Sequence, residues 1–330
     1  MILPKKQNST NLIVRAEIVE ADNFTAIAIP DEKLNDPEII NAWVFIEEKS
    51  YGNMKTNVFV TEKIENRKKI IEKMKKSPVI KIVKKNNIQI ADIIISDSTI
   101  KQEYFLNYTI KNDNKSYLSK ISNKNTDKIA LEIHKEILFY SKAKYLKQLQ
   151  LINLDIDVKL ELLPVKNYEE KDGGYVATEY GKQKDKTING QTEYKNGELF
   201  IFKVINKGYK EAYFQIMDIQ PNNEVSILIP GKGMNEGDFK IEGGQTIIFT
   251  SKIMQIGKPF GTDMFKIIVS PKPMYNLRNI IENKKSTRGS KTPFEILSQN
   301  ISTGTRGNKP ISVPVNTVNT HSVIIKTYDK

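Results

Sequence analysis

At 330 residues and 37.8 kDa the chain exceeds the usual size of a single domain, so two or three compact units are expected. With 39% hydrophobic and 27% charged residues, and only 17 Gly and 13 Pro, it is neither collagen-like nor broadly disordered. Zero cysteines exclude a disulfide framework, thiolate zinc sites, iron–sulfur clusters and a cysteine nucleophile, and two histidines, His134 and His321, leave little for histidine catalysis or a multi-histidine metal site.

The net charge of +12 is built almost entirely from lysine: the arginines are Arg15, Arg67, Arg278, Arg288 and Arg306. Arginine's planar fork reads guanine edges and clamps phosphates, so a lysine-dominated balance argues against sequence-specific nucleic-acid recognition. The charge is uneven: residues 1–62 are net −4, residues 63–150 net +11 and residues 151–330 net +5. The start, Met1 to Thr10, has no apolar core of a signal peptide, and no run approaches the roughly 20 apolar residues of a membrane span. A natural start at Met1 would place the chain in the cytoplasm.

Residues 1–61 read as a small β-barrel-like or partial β unit. Its extended runs are Leu12 to Val14, Ala16 to Val19, Thr25 to Ile29, Ala42 to Ile46 and Thr56 to Val60, separated by acidic, turn-rich segments. Fifty residues make a thin unit, one to be completed by further strands or a partner.

Residues 62–150 read as an α+β unit. A charged helix over Glu62 to Lys76 has Ile64, Ile71 and Met74 on one stripe and stops at Ser77-Pro78. Strands follow at Val79 to Val83 and Ile88 to Ile95, and a hairpin at Glu103 to Ile110 and Ser116 to Ile121. A long helix from Asn125 or Thr126 to about Leu151 carries two apolar stripes and is expected to pack on this small sheet.

Residues 151–330 read as an antiparallel β-sandwich. A strand at Val158 to Leu162 is closed by Pro164, and the polar stretch 166–197 reads as a long loop or a weak hairpin insertion. Strands then crowd together at Leu199 to Ile205, Ala212 to Ile219, Val225 to Ile229, Phe239 to Glu242, Thr246 to Lys252 and Met264 to Val269. A second long loop at 283–309, with a short helix at Pro293 to Gln299, precedes a last strand at Ser322 to Thr327. The fold class is therefore α+β and multi-domain.

Motifs that could carry chemistry each have a plainer reading. Gly231-Lys232-Gly233 with Gly237 superficially resembles a phosphate loop, but no Ser/Thr follows the lysine and no helix opens there, so it reads as a hairpin turn. Ser141-Lys142-Ala143-Lys144 has the Ser-x-x-Lys spacing of serine β-lactam enzymes without their partner motifs, and reads as a solvated helical face. His134 and His321 have no ligand partners at metal-site spacing. Asp31, Glu32, Asp36 and Glu38 lack the calcium-loop register and read as a solvated acidic loop. Lys63, Arg67, Lys68, Lys69, Lys73, Lys75 and Lys76 form the densest basic cluster, a candidate polyanion-binding face without an aromatic ladder for single strands. No catalytic residue, metal ligand or cofactor is expected.

Phe202 to Gly208, Ala212 to Asn223, Ile227 to Pro230 and Lys258 to Ile267 together resemble a bacterial domain of unknown function found behind caspase-like peptidases: Val-x-Asn-x-Gly, an aromatic strand ending in Asp and a turn, Ile-Pro, then Pro-x-Gly before a strand. The helix ending Ala143 to Leu149, the strand Val158 to Pro164, and the tail motifs Thr287-Arg288-Gly289 and Thr305-Arg306-Gly307 fit the same pattern. The resemblance covers residues 130–330 and implies the non-catalytic C-terminal region of a bacterial caspase-family protein; the peptidase domain and its His–Cys dyad are absent, and no catalytic residue carries over.

The expectation is an accessory or regulatory region that acts by protein–protein interaction, with a caspase-like peptidase or its substrate as partner. Tyr168, Tyr175, Tyr180 and Tyr194 are its candidate contacts, because aromatics with a polar tip suit interfaces. The alternatives are a polyanion or nucleic-acid module on the basic block 63–150, and a hydrolase using paired carboxylates in the sandwich.

Overall fold

The structure, a computed structural model, describes residues 2–4, 12–21, 26–30, 48–50, 56–62, 64, 67–75, 77, 80–100, 103–110, 115–120, 126–281, 312–314 and 318–329. The fold is α+β, with strands in several sheets and a C-terminal β-sandwich. The expected strand at Ala42 to Ile46, the acidic loop Asp31 to Glu38, the loop 283–309 and the helix Pro293 to Gln299 all lie outside the described residues.

Near the N-terminus, β1 (Ile2–Pro4), β2 (Leu12–Ala21) and β3 (Ala26–Pro30) form an antiparallel sheet. The two short runs expected at 12–14 and 16–19 are one strand, with a register shift between Ile18 and Glu20. A short strand, β4, covers Glu48–Ser50.

The central sheet corrects the boundary drawn between residues 61 and 62. It comprises β5 (Thr56–Val60), β6 (Ile80–Ile82), β7 (Ile93–Ile100), β8 (Glu103–Ile110) and β9 (Lys115–Lys120), in the order β6-β5-β7-β8-β9. β5 pairs in parallel with both neighbours, Thr56 opposite Ile80 and Val58 opposite Ile93, so it belongs to this unit rather than to the N-terminal one. Its burial on both faces shows why: Val58 and Val60 pack with Ile64, Ile70 and Met74, while Phe59 packs with Val83 and Ala91. The helix α1 spans Arg67–Lys75, shorter than the expected Glu62 to Lys76, and connects β5 to β6. Residues 85–90 form a 3-10 turn, so the strand read from Ile88 begins instead at Ile93.

The long helix α2 (Thr126–Gln148) serves two cores in succession along its length. Ile137 and Tyr140 pack with Val58, Val60 and Ile93 of the central sheet. Ala143, Tyr145, Leu146 and Leu149 pack with Met217, Ile219, Ile227 and Ile268 of the C-terminal unit, so a boundary at 150/151 cuts through a core. Polar contacts hold the C-terminal part of the helix: Ser141 Oγ donates to Ile137 O and lies 2.5 Å from Thr56 Oγ1, Lys144 pairs with Asp92 at 2.8 Å, and Lys147 Nζ donates to Asn223 Oδ1.

The C-terminal unit contains β10 (Val158–Lys171), β11 (Gly174–Tyr180), β12 (Thr187–Ile188), β13 (Gln191–Lys195), β14 (Leu199–Asn206), β15 (Ala212–Ile219), β16 (Val225–Ile229), β17 (Lys240–Ile241), β18 (Thr246–Ile248), β19 (Met254–Gln255), β20 (Gly261–Ser270), the short helix α3 (Leu277–Ile281), β21 (Ser312–Pro314) and β22 (Asn319–Tyr328). One sheet runs β11-β10-β14-β18, with β19 also on β14. The other runs β12-β13-β22-β20-β15-β16, with β17 also on β15; only β13 and β22 within it are parallel. β21 returns to pair with β4.

Period-2 alternation drives the sandwich. Leu160, Leu162, Phe200, Phe202 and Val204 of the first sheet meet Phe214, Ile216, Phe265, Ile267 and Val323 of the second. Rings pack at 5.3 Å for Phe200–Phe265 and 5.5 Å for Phe200–Phe202, each fully buried ring contributing about 1.5–3 kcal/mol of transfer free energy. The outward side chains of the second sheet are covered by the end of α2 and by α3. That cover explains a fully buried lysine: Lys266 of β20 donates to Leu149 O at 2.5 Å, just past the α2 C-terminus, and Lys142 of α2 donates in turn to Ile281 O at the end of α3.

Candidate functional site: a β-arm and a basic helix face

Of the two readings of the stretch 166–197, the hairpin is the one formed, and the loop is not. β10 continues through Pro164 to Lys171, pairing with β14 from Val158 to Pro164 and then only with β11. Pro164 is tolerated because it sits at this hand-over: it is the last residue opposite β14, and its carbonyl accepts from Gly181 N at 2.8 Å. The hairpin closes through Asp172 (φ 53°) and Gly173 (φ 76°), two consecutive left-handed residues whose twist matches that of the strands they join. The result is a two-stranded arm, about 20 Å of ribbon at roughly 3.3 Å per residue, extending beyond the sheet. From Lys166 to Lys171 every β10 side chain is half or fully exposed.

Tyr168 and Tyr175 stand on this arm as an edge-to-face pair with centroids 5.5 Å apart, 47% and 57% exposed. Around them are Glu169, Glu170, Asp172 and Glu179 against Lys166 and Lys171, which leaves the arm net −2. The other two candidate tyrosines lie elsewhere. Tyr180 is half-buried against Leu163, Ala177 and Ile201. Tyr194 is a correction: it is fully buried in the sandwich, 5.7 Å from the Phe200 ring, and its hydroxyl has no hydrogen-bond partner. Burial first, then the nearby Glu198 charge, pushes its ionisation well above the usual phenol range. The inward alternation of β13 puts it there, with Thr192 and Tyr194 buried between exposed Gln191 and Lys195.

Among the basic residues singled out, Lys63 and Lys76 lie outside the described residues. Arg67 is committed to the fold, its Nε donating to Val60 O at 3.0 Å. Lys68, Lys69 and Lys75 are exposed and Lys73 is half-buried, on the side of α1 opposite the core residues Ile70 and Met74. None of the four makes an ion pair among the described residues. His134 on α2 is held below the usual imidazole range by burial and then by the Lys73 charge.

Several other polar groups singled out from the sequence are buried or bonded within the fold. Ser141 and Lys142 are buried, correcting the solvated-face reading of Ser-x-x-Lys, and Lys144 is engaged with Asp92. His321 Nδ1 accepts from Leu160 N at 3.2 Å and Gln183 Oε1 from Leu162 N at 3.0 Å, so both cover the edge of β10 that β11 does not reach. Asp218, at the inner end of β15, is pushed up to about 6, chiefly by burial and further by Glu224, against the opposing bond from Gln220. Its Oδ1 has no partner. Lys266 is pushed down to about 8 by burial. The 231–237 segment is a turn followed by the 3-10 turn Glu236–Asp238, and no helix opens there. Among the described residues no three His, Cys, Asp or Glu side chains converge as metal ligands, and no helix is long and apolar enough to cross a membrane.

One surface feature had no signal in the composition of its segment. Tyr209, 73% exposed, donates its hydroxyl to Asp155 Oδ1 at 2.8 Å, while Lys210 Nζ donates to Asp155 Oδ2 at 2.7 Å and holds that carboxyl below its usual range. The turn is locked beneath by Gly208, where a Cβ would overlap Asp155 O and lie 2.7 Å from Asp157 N. Comparison of the chain with protein-family models, with curated proteins and with solved structures finds no match.

Proposed function

We propose that this chain is a non-enzymatic binding component that engages a protein partner through the arm formed by β10 and β11. The observation that carries this is the ribbon itself. The base of the hairpin is anchored, with Ala177 buried beside Ile201 and its N donating to Thr250 O at 2.9 Å, while the tip beyond it has no further strand pairing among the described residues and displays two large, exposed aromatic rings. Exposed tyrosines fixed on a rigid scaffold are the side chains that dominate binding energy at protein interfaces. A partner laid over the Tyr168–Tyr175 face would complete the layer the arm lacks.

The resemblance of residues 199–270 to the domain behind caspase-like peptidases supports a peptidase of that kind, or its substrate, as the partner. That choice of partner rests on the sequence pattern alone, whereas the arm rests on geometry. The test is a photo-crosslinking amino acid placed at position 175 and, as control, at Ile188, which is equally exposed but off the arm. Expressed in the source cell, the chain should form a discrete protein adduct from position 175 and none from 188. No adduct from 175, or the same adducts from both, overturns the reading.

A further inference from the structure

The arm and the α1 face are chemical complements. The arm offers Glu170 and Asp172 on the face of its two exposed tyrosine rings and Glu169 on the opposite face, and α1 offers Lys68, Lys69, Lys73 and Lys75 without ion-pair partners among the described residues. Carboxylates attract ammonium groups directly, and the negative face of a tyrosine ring attracts the same cation. The dimensions also agree: nine residues of α1 span about 13 Å at 1.5 Å per residue, within the about 20 Å length of the ribbon.

A nucleic acid is the poorer match for this helix. Duplex affinity grows with the number of phosphates neutralised, and α1 itself brings four lysines without ion-pair partners among the described residues, its one arginine being spent on Val60 O. No ion pair among the described residues joins arm to helix within the chain. We propose that the arm of one copy docks on the α1 face of a second copy. This deepens the reading of the arm as a binding element and rests on it, naming a second copy as an occupant.

Such a contact is heterologous: each copy that gives its arm leaves its own α1 face open, and each that receives leaves its own arm free. Association therefore runs head to tail, and either closes into a ring or grows. It is electrostatic and exposed, so it weakens as salt shortens the screening length from about 14 Å near 50 mM to a few ångström near 0.5 M.

The test is light scattering on size-fractionated, purified full chain over a concentration series at low and high salt, with two charge-reversed variants. The native chain should gain mass with concentration at about 50 mM salt, and its apparent dissociation constant should rise about tenfold or more at about 0.5 M. E169K/E170K makes arm and helix both basic, and K68E/K69E/K73E makes both acidic, so each variant alone should stay monomeric. Mixing the two restores both complementary contacts and should restore assembly. A native chain that is monomeric at every concentration and salt, association that survives either reversal, or a mixture that stays monomeric overturns the proposal. So does binding of a short DNA duplex through these lysines with no self-association. If the copies do not associate but position 175 still crosslinks a foreign protein, self-docking falls and the arm's role as a binding element stands.

Discussion

Replacing Asp218 by Asn should stabilise the protein at neutral and alkaline pH and not at acid pH. Asp218 is buried at the inner end of β15, with Oδ2 accepting from Gln220 Nε2 and Oδ1 unpartnered. Between pH 3.8 and about 6 the folded chain holds a proton that the unfolded chain has lost, so stability falls as pH rises through that window. At about 1.4 kcal/mol per pH unit, the carboxylate costs the native state about 3 kcal/mol once it is ionised. Asn keeps the shape and the bond from Gln220 but buries an amide without an acceptor, which takes back about 1–2 kcal/mol. The expected net gain is about 1–2 kcal/mol at pH 8, read as a higher urea midpoint at unchanged slope, and about zero or a small loss at pH 4.5. An equal loss at both pH values would refute the reasoning, because it would mean that the carboxylate is stabilising rather than stranded.

Lys266 titrates in the opposite sense: from about pH 8 to 10.5 the unfolded chain keeps a proton the folded chain has lost, so native stability should rise by about 3 kcal/mol across that window. Urea midpoints at the two pH values should show this rise in the native chain and not in Lys266→Met. Tyr194→Phe removes a buried hydroxyl with no partner and should be neutral or stabilising by about 1 kcal/mol, measured by thermal melting; a loss above about 2 kcal/mol would show a hidden bond. Gly208→Ala forces a Cβ into the backbone of Asp155 and Asp157 and should cost at least about 2 kcal/mol; an unchanged melting temperature would contradict that packing.

The strands that could be read in advance are those whose neighbours are close in sequence and whose inner face is apolar. β15 and β20 read as dense apolar runs because both of their faces are covered, β14 and β22 carry a partial alternation towards the aromatic core, and the β8–β9 hairpin announces itself through its polar turn. The arm was legible only in part. Apart from Ala177, its side chains are half or fully exposed, so no apolar alternation marks it, and Asp172-Gly173 is the local sign that the polar stretch turns back on itself. β5 was placed in the wrong unit because its partners, β6 and β7, are reached through a helix and a 3-10 turn, and a parallel pairing leaves no turn signature. Tyr194 looked like a loop tyrosine because one inward ring among Gln, Thr, Glu and Lys gives too short a pattern to read. Lys266 and Lys142 are lysines on faces covered by non-neighbouring helix and strand, a cover that no local window contains.

The most direct test of the account compares affinity capture by the native chain and by the Tyr168→Ala/Tyr175→Ala variant from the same cell extract. Both side chains are about half exposed, so the variant should keep its unfolding free energy within about 0.5 kcal/mol. The expected result is a protein partner retained by the native chain and lost, by tenfold or more, from the equally folded variant; identical capture by both would contradict the assignment of binding to the arm.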